Sequence, residues 1–264
     1  MSALRVPFEE ASSIQPETVF TVFGLSITNA MLLGTIVTIL LAVLCIYTSR
    51  RLRLKPSRFQ LIIERLTFSF HSLTRNILGT EAAADAMLPL IGTLFLFFGI
   101  SNIIALIPGL GSFTYNGVAL FRTPTNDFNM TFSVALAMIV LTHVASLRTF
   151  GVFGHLGKFF KFKEVYLGFK QGFGPGMLSI VDFIIGLLDI VSELAKVFSL
   201  SLRLFGNMFA GEILAAVLLG AFAIAVPTIW LGMNLFVGIL QAMVFGALTA
   251  AYYGLAIQKT EETA

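Results

Sequence analysis

Three apolar runs stand out in the first half of the chain: Thr28 to Tyr47, Ala86 to Ile107 and Met130 to Leu147. Each has roughly the 20 residues an α-helix needs to cross about 30 Å of hydrocarbon, so each is expected to span a membrane. Between the first two the pattern changes. The stretch "SRRLRLKPSRFQLIIERLTFSFHSLTRNILG" opens with Arg50, Arg51, Arg53, Lys55 and Arg58, then sets apolar positions at helical spacing against charged ones. That amphipathic pattern predicts a helix from about Ser57 to Leu78 lying on the membrane instead of crossing it.

The last block, residues 177–257, contains no stretch polar enough to be an ordinary exposed loop. Its best internal breaker is Pro227 in "AIAVPTIW". Two long helices, about 177–222 and 228–257, joined by a tight bend, fit this pattern better than four short spans. At 1.5 Å per residue the first would be roughly 65–70 Å long, over twice the hydrocarbon thickness, so it must tilt steeply, kink or leave the bilayer. The expected fold is therefore all-α and polytopic. A single membrane domain over 1–264 has about five membrane helices plus the interfacial helix, and the last two form a tilted hairpin. Residues 1–27 form an external segment, and "GFGPGM" at 172–177 is a short linker.

Composition agrees with this reading: 57% of residues are hydrophobic, only 12% are charged, and 27 are Phe. The single Cys45 cannot form an internal disulfide, and no Cys or His cluster has metal-ligand spacing, so no cofactor is expected. The net charge of +3 comes without an aromatic–basic nucleic-acid motif, and no GxxxxGK[ST] loop is present. Neither nucleic acid nor nucleotide chemistry is expected of this chain. The basic residues gather in two places, Arg50 to Arg58 and the segment Arg148 to Gly176 with Lys158, Lys161, Lys163 and Lys170. The 108–129 connection carries only Arg122 and Asp127. By the positive-inside rule both basic segments are cytoplasmic loops, which puts the N-terminus outside and the C-terminus in the cytoplasm. Residues 1–27 have neither a secretory nor a transit pattern, which favours a bacterial cell membrane over an organelle inner membrane.

Charges inside the last apolar block are the candidate chemistry. Asp182, Asp189, Lys196 and Arg203 recur every seven residues, a stripe that winds only about 20° per step. Glu193 is near enough along the helix to share Lys196. For the acidic members and Lys196, structural ion pairing and function are both open. Arg203 is different, because no acidic residue lies three or four positions away. An unpaired charge near the bilayer centre is costly, so Arg203 should face a cavity or a partner carboxylate. Glu212 is turned about 180° from it and shifted roughly 13 Å along the axis, so the two face different surroundings. His143 reads first as a packed or interfacial histidine, and Asp127 as either a helix start or a channel mouth. The small residues from Gly206 to Ala216 permit close helix approach.

"SLRLFGNMFAGE", followed by "LQAMVFGALTAAYYG" about thirty residues later, closely resembles subunit a of F-type ATP synthases. "KPSRFQLIIE", "SNIIALIPG" and "PTNDFNMTFSVAL" resemble the same family in order and spacing. The resemblance implies a non-catalytic, ion-conducting stator subunit packed against a rotating ring of small hairpin subunits that carry a buried carboxyl. It also implies peripheral stalk subunits, a soluble ATP-hydrolysing head and surrounding lipid as partners. The coupling ion would be chosen on the ring. The family's essential arginine maps onto Arg203, with Asn207 and Gln241 as polar groups near it and Gln241 expected to orient the guanidinium. An external half-channel maps onto Glu212, with Asn102 and Ser133 as lesser candidates, and a cytoplasmic one onto Asp189 and Ser192. Two departures concern the external path: Ala105 stands where family members often have an ionisable group, and Asn234 where they have a histidine or carboxylate. The competing class is a self-contained secondary transporter, against which stand the absence of a duplicated half and the small number of spans.

Overall fold

The computed structural model describes residues 15–107, 113–115, 117–221 and 225–257. A two-stranded hairpin precedes the first helix, β1 (Thr18–Val22) pairing antiparallel with β2 (Leu25–Thr28). Phe23 and Gly24 both take positive φ, 52° and 82°, as a two-residue turn that follows the strand twist requires. The chain then passes into α1 (Asn29–Arg50), whose first turn is capped by Thr28 Oγ1 accepting from the Met31 N–H at 3.3 Å. Helix α2 spans Arg58–Leu78. Ser57 Oγ accepts from the Gln60 N–H at its start, and Gly79 ends it in the left-handed conformation, donating to the Arg75 carbonyl at 2.8 Å.

Helix α3 (Glu81–Ala105) is followed by a minimal strand pair, β3 (Thr114–Tyr115) with β4 (Val118–Ala119), and by a 3₁₀ turn at Pro124–Asn126. Helix α4 (Phe128–Phe159) starts on Asp127, whose carboxylate accepts from the Asn129 N–H at 2.9 Å. It breaks at Gly151, which takes φ 72° and ψ 173°. Helices α5 (Phe162–Gln171), α6 (Phe173–Ala221) and α7 (Ala225–Ile257) complete the chain.

Two expectations about connections change. The basic segment 148–176 is largely helical, comprising the end of α4 and all of α5, and "GFGPGM" opens α6 where a linker was expected. The physical reason is shared by both prolines: Pro175 and Pro227 lie in the first turns of α6 and α7, where a missing N–H removes no intrahelical bond. Each therefore begins a helix instead of separating two. Residues 222–224, which connect α6 to α7, lie outside the described residues, and with them any bend just before Pro227.

Among the described residues, four helices are long and apolar enough to cross a membrane: α1, α3, α4 as far as Gly157, and α7 from Val226. Helix α6 has 49 residues, about 70 Å at the usual rise. The main core lies between α3, α4, α6 and α7. Phe98 meets Phe245 at 4.7 Å between ring centroids, with Leu94, Ile139, Leu200 and Leu204 buried around them. Helix α1 joins at the side, burying Leu33, Val37 and Leu41 against Ile100 and Ile104 of α3. Much of the remaining helix surface is large and apolar, including Leu188, Val191 and Leu194 on α6 and Ile39, Leu40 and Val43 on α1. Such faces suit lipid or an apolar partner and not water.

Candidate ion-translocation site

The long helix α6 carries Arg203 and Glu212, together with the other charges of the last apolar block. Arg203 is exposed beside the equally exposed Leu202. Its Nη2 reaches Ser199 Oγ, one turn back, at 3.4 Å, near the long limit for a hydrogen bond. Among the described residues it forms no ion pair. A guanidinium cannot shed its proton, so this face of α6 presents a fixed charge to whatever covers it.

One turn on, Asn207 donates Nδ2 to Gln241 Oε1 at 3.1 Å, joining α6 to α7. Gln241 is thus bonded to Asn207 and not to the guanidinium, the partner expected for it. Its buried Nε2 finds no hydrogen-bond partner among the described residues. A buried amide donor left open costs on the order of 1–3 kcal/mol unless something outside the chain meets it.

Glu212, on the opposite side of the helix, meets the connection between α3 and α4. Its carboxylate accepts a hydrogen bond from Asn126 Nδ2, and Asn126 belongs to the 3₁₀ turn. Arg122 braces that turn: Nε donates to the Asn126 carbonyl at 3.2 Å and Nη1 to the Gln15 carbonyl at 3.0 Å. The Arg122 charge also acts on the carboxylates of both Asp127 and Glu212. At the foot of α4, burial pushes the Asp127 carboxyl above its ordinary value, against the opposing pull of the Asn129 N–H, the Arg122 charge and the Met130 N–H.

Asn102 ties the same turn to two helices. Its Oδ1 accepts from Thr125 Oγ1 at 2.8 Å, and its Nδ2 donates to the Gly238 carbonyl of α7 at 2.9 Å. Asn234 is buried against Gly211, the residue before Glu212, so closely that a Cβ at 211 would overlap its side-chain amide. Trp230 Nε1 donates to the Gly211 carbonyl at 3.0 Å from the same side. The structure therefore brings Glu212 and Asn102 to one turn, with Asn234 packed against Gly211 beside Glu212. Ser133 is not part of this group, because its exposed hydroxyl bonds the Asn129 carbonyl of its own helix at 2.6 Å.

Nearer the start of α6, Asp189 is half-buried and Ser192 exposed, and neither makes a hydrogen bond or ion pair among the described residues. Glu193 does: Lys196 Nζ lies 2.7 Å from one carboxylate oxygen and His143 Nε2 3.9 Å from the other. Lys196 also stands over the Tyr252 ring at 5.1 Å. The break at Gly151 folds the end of α4 back, so that His155 bonds Ser146 Oγ at 3.0 Å and packs edge-on to His143 at 5.3 Å. Ion pairing and packing account for Glu193, Lys196 and His143.

Three residues of the Glu212 group were not singled out in the sequence as site residues: Arg122, Thr125 and Asn126. The available signal was "FRTPTNDFN", a polar run beside Pro124 between two apolar helices.

Comparison with known proteins places the chain in one family. The family described as ATP synthase A chain matches residues 30–254. An ATP synthase subunit a of Desulforamulus reducens is 34% identical over 241 residues, covering 88% of this chain and 80% of the relative. The subunit a of Limosilactobacillus fermentum is 31% identical over 244 residues, covering 88% and 94%. A protein of Propionigenium modestum named "ATP synthase subunit a, sodium ion specific" is 33% identical over 255 residues, covering 94% and 81%. A family match over residues 30–254, with relatives more than 30% identical over most of their length, shows that the chain belongs to the ATP synthase A chain family, subunit a of the F-type ATP synthases.

Proposed function

We propose that this chain is the ion-translocating stator subunit of an F-type ATP synthase. It forms two offset aqueous half-channels against a rotating ring of small hairpin subunits, with Arg203 between them, and itself performs no nucleotide chemistry. The observation that carries the reading is the exposed guanidinium of Arg203, without an ion-pair partner among the described residues, on the long helix α6, whose surface elsewhere is largely apolar.

A ring carboxyl in contact with lipid stays protonated, because burial in hydrocarbon disfavours its charged form. Brought to about 4 Å from a cation at an effective dielectric near 20, the carboxylate gains about 4 kcal/mol. Arg203 thus strips the ion from each arriving ring site and holds the emptied carboxylate until the ring moves on. Its permanent charge also blocks direct passage of cations from one half-channel to the other. Lysine supplies the charge without the planar fork and deprotonates far more readily.

On the external side, the ion path runs along Glu212. Asn126 and Arg122 hold and balance its carboxylate, while Ala105 and Asn234 offer no ionisable group to it. On the cytoplasmic side, Asp189 and Ser192 are polar groups left open on α6. The peripheral stalk and the soluble head complete the complex, in a bacterial cell membrane with the N-terminus outside.

The test is ion-driven ATP synthesis by the complex reconstituted in vesicles. Arg203→Ala is expected to assemble and to abolish synthesis, and Arg203→Lys to be nearly as defective. Near-normal synthesis by Arg203→Ala removes the proposal.

A further inference from the structure

We propose that the cleft between α3, α4 and α7 at Arg148 is a binding site for one anionic phospholipid. The cleft has a volume of about 210 Å³. Its floor is a stripe of α4, because Leu141, Val144, Ala145 and Arg148 fall at positions i−7, i−4, i−3 and i of one helix face. Met87 of α3 and Tyr253 of α7 form the walls. Arg148 is exposed and has no acidic partner among the described residues, and the nearby Thr149 hydroxyl bonds the Ala145 carbonyl at 3.0 Å.

Depth identifies the ligand. Arg148 lies 21 residues beyond Asp127, the cap of α4, which is about 31 Å along the axis and equals one hydrocarbon thickness. The helix breaks at Gly151, three residues on. With Asp127 at one membrane face, Arg148 stands at the other, at headgroup level, and the stripe below it descends about 10 Å into the hydrocarbon along the direction of an acyl chain. A fixed cation above an apolar slot matches a molecule with an anionic head and an apolar tail. The basic residues of the following segment, Lys161 and Lys170 among them, add attraction for an anionic surface. Free phosphate matches only the upper half of the site.

The inference requires only that the chain spans a membrane, so it survives failure of the half-channel proposal. The assembled complex is placed in phosphatidylcholine vesicles containing a photoactivatable phosphatidylglycerol, illuminated, and the labelled residues mapped by mass spectrometry. Label is expected on 141–149 and is expected to fall about fivefold in Arg148→Gln, the loss of one basic contact. Ala145→Phe, which fills the slot and keeps the charge, is expected to lose label as well, with assembly and ATP hydrolysis checked in both variants. A photoactivatable phosphatidylcholine is expected to label weakly, and excess inorganic phosphate not to compete. Equal labelling by both lipids, or undiminished label in Arg148→Gln, overturns the proposal. Label that appears only after the peripheral stalk is stripped away assigns the cleft to a protein partner and overturns it too. Displacement by inorganic phosphate reduces the site to a simple anion site and has the same effect.

Discussion

Glu212 and Asn126 are 86 positions apart in the chain, and their hydrogen bond joins the long helix to a three-residue turn. An ion relay needs a group that titrates, so Glu212→Gln, which keeps size and hydrogen bonding, is expected to slow passive ion flux through the membrane sector by about a hundredfold without dissociating it. Unchanged flux makes Glu212 structural. Asn126→Leu removes the donor and leaves the carboxylate. About a tenfold loss of flux is expected, since a hydrogen bond to a charged group is worth about 1.5 kcal/mol or more. A carboxylate at position 234 restores part of the flux of Glu212→Gln if the two positions line one path, and failure of that rescue counts only against their proximity. Arg203 was legible in the sequence because helix spacing alone shows that it lacks an acidic neighbour within a turn. Asn126 was not, because no local rule connects positions 126 and 212.

At the scale of elements, α6 and α7 approach closely where Gly211 meets Asn234. Gly211→Ala places a methyl group against the Asn234 amide, and overpacking of this kind costs about 1–3 kcal/mol. The purified complex should show a lowered melting temperature in Gly211→Ala, and much of the loss should return in Gly211→Ala/Asn234→Ala, where the obstructing amide is gone. An unaltered melting temperature in the single variant shows that the interface yields at no cost. The apolar runs of α1, α3, α4 and α7 were readable as helices because a crossing segment must bond its backbone internally over some 20 residues. The ends were harder to read. A proline stops a helix from within and starts one from its first turn, and only the packed chain distinguishes the two for Pro175 and Pro227. Likewise, helix α4 runs past its expected end at Leu147 and turns only at Gly151, where the positive φ favours glycine.

Across the whole molecule, the proposed orientation rests on the charge of the connecting segments. With Cys45→Ser as background, cysteines at Pro56 and Lys161 are expected to resist an impermeant thiol reagent added to intact cells, and a cysteine at Thr114 to react with it. Labelling at Lys161 from outside reverses both half-channel assignments. The sequence by itself determined the solvent, the helical class and the isolation of Arg203, since each depends on composition or on spacing along one helix. Tertiary structure decided which polar residues share a site. It placed Asn102, Asn126 and Glu212 around one turn, directed Gln241 to Asn207, left Ser133 on its own helix and closed Glu193 between Lys196 and His143. The reason is physical: the cost of an unpaired charge in hydrocarbon is set by residue type and depth, whereas the partner that relieves it is set by how distant helices pack.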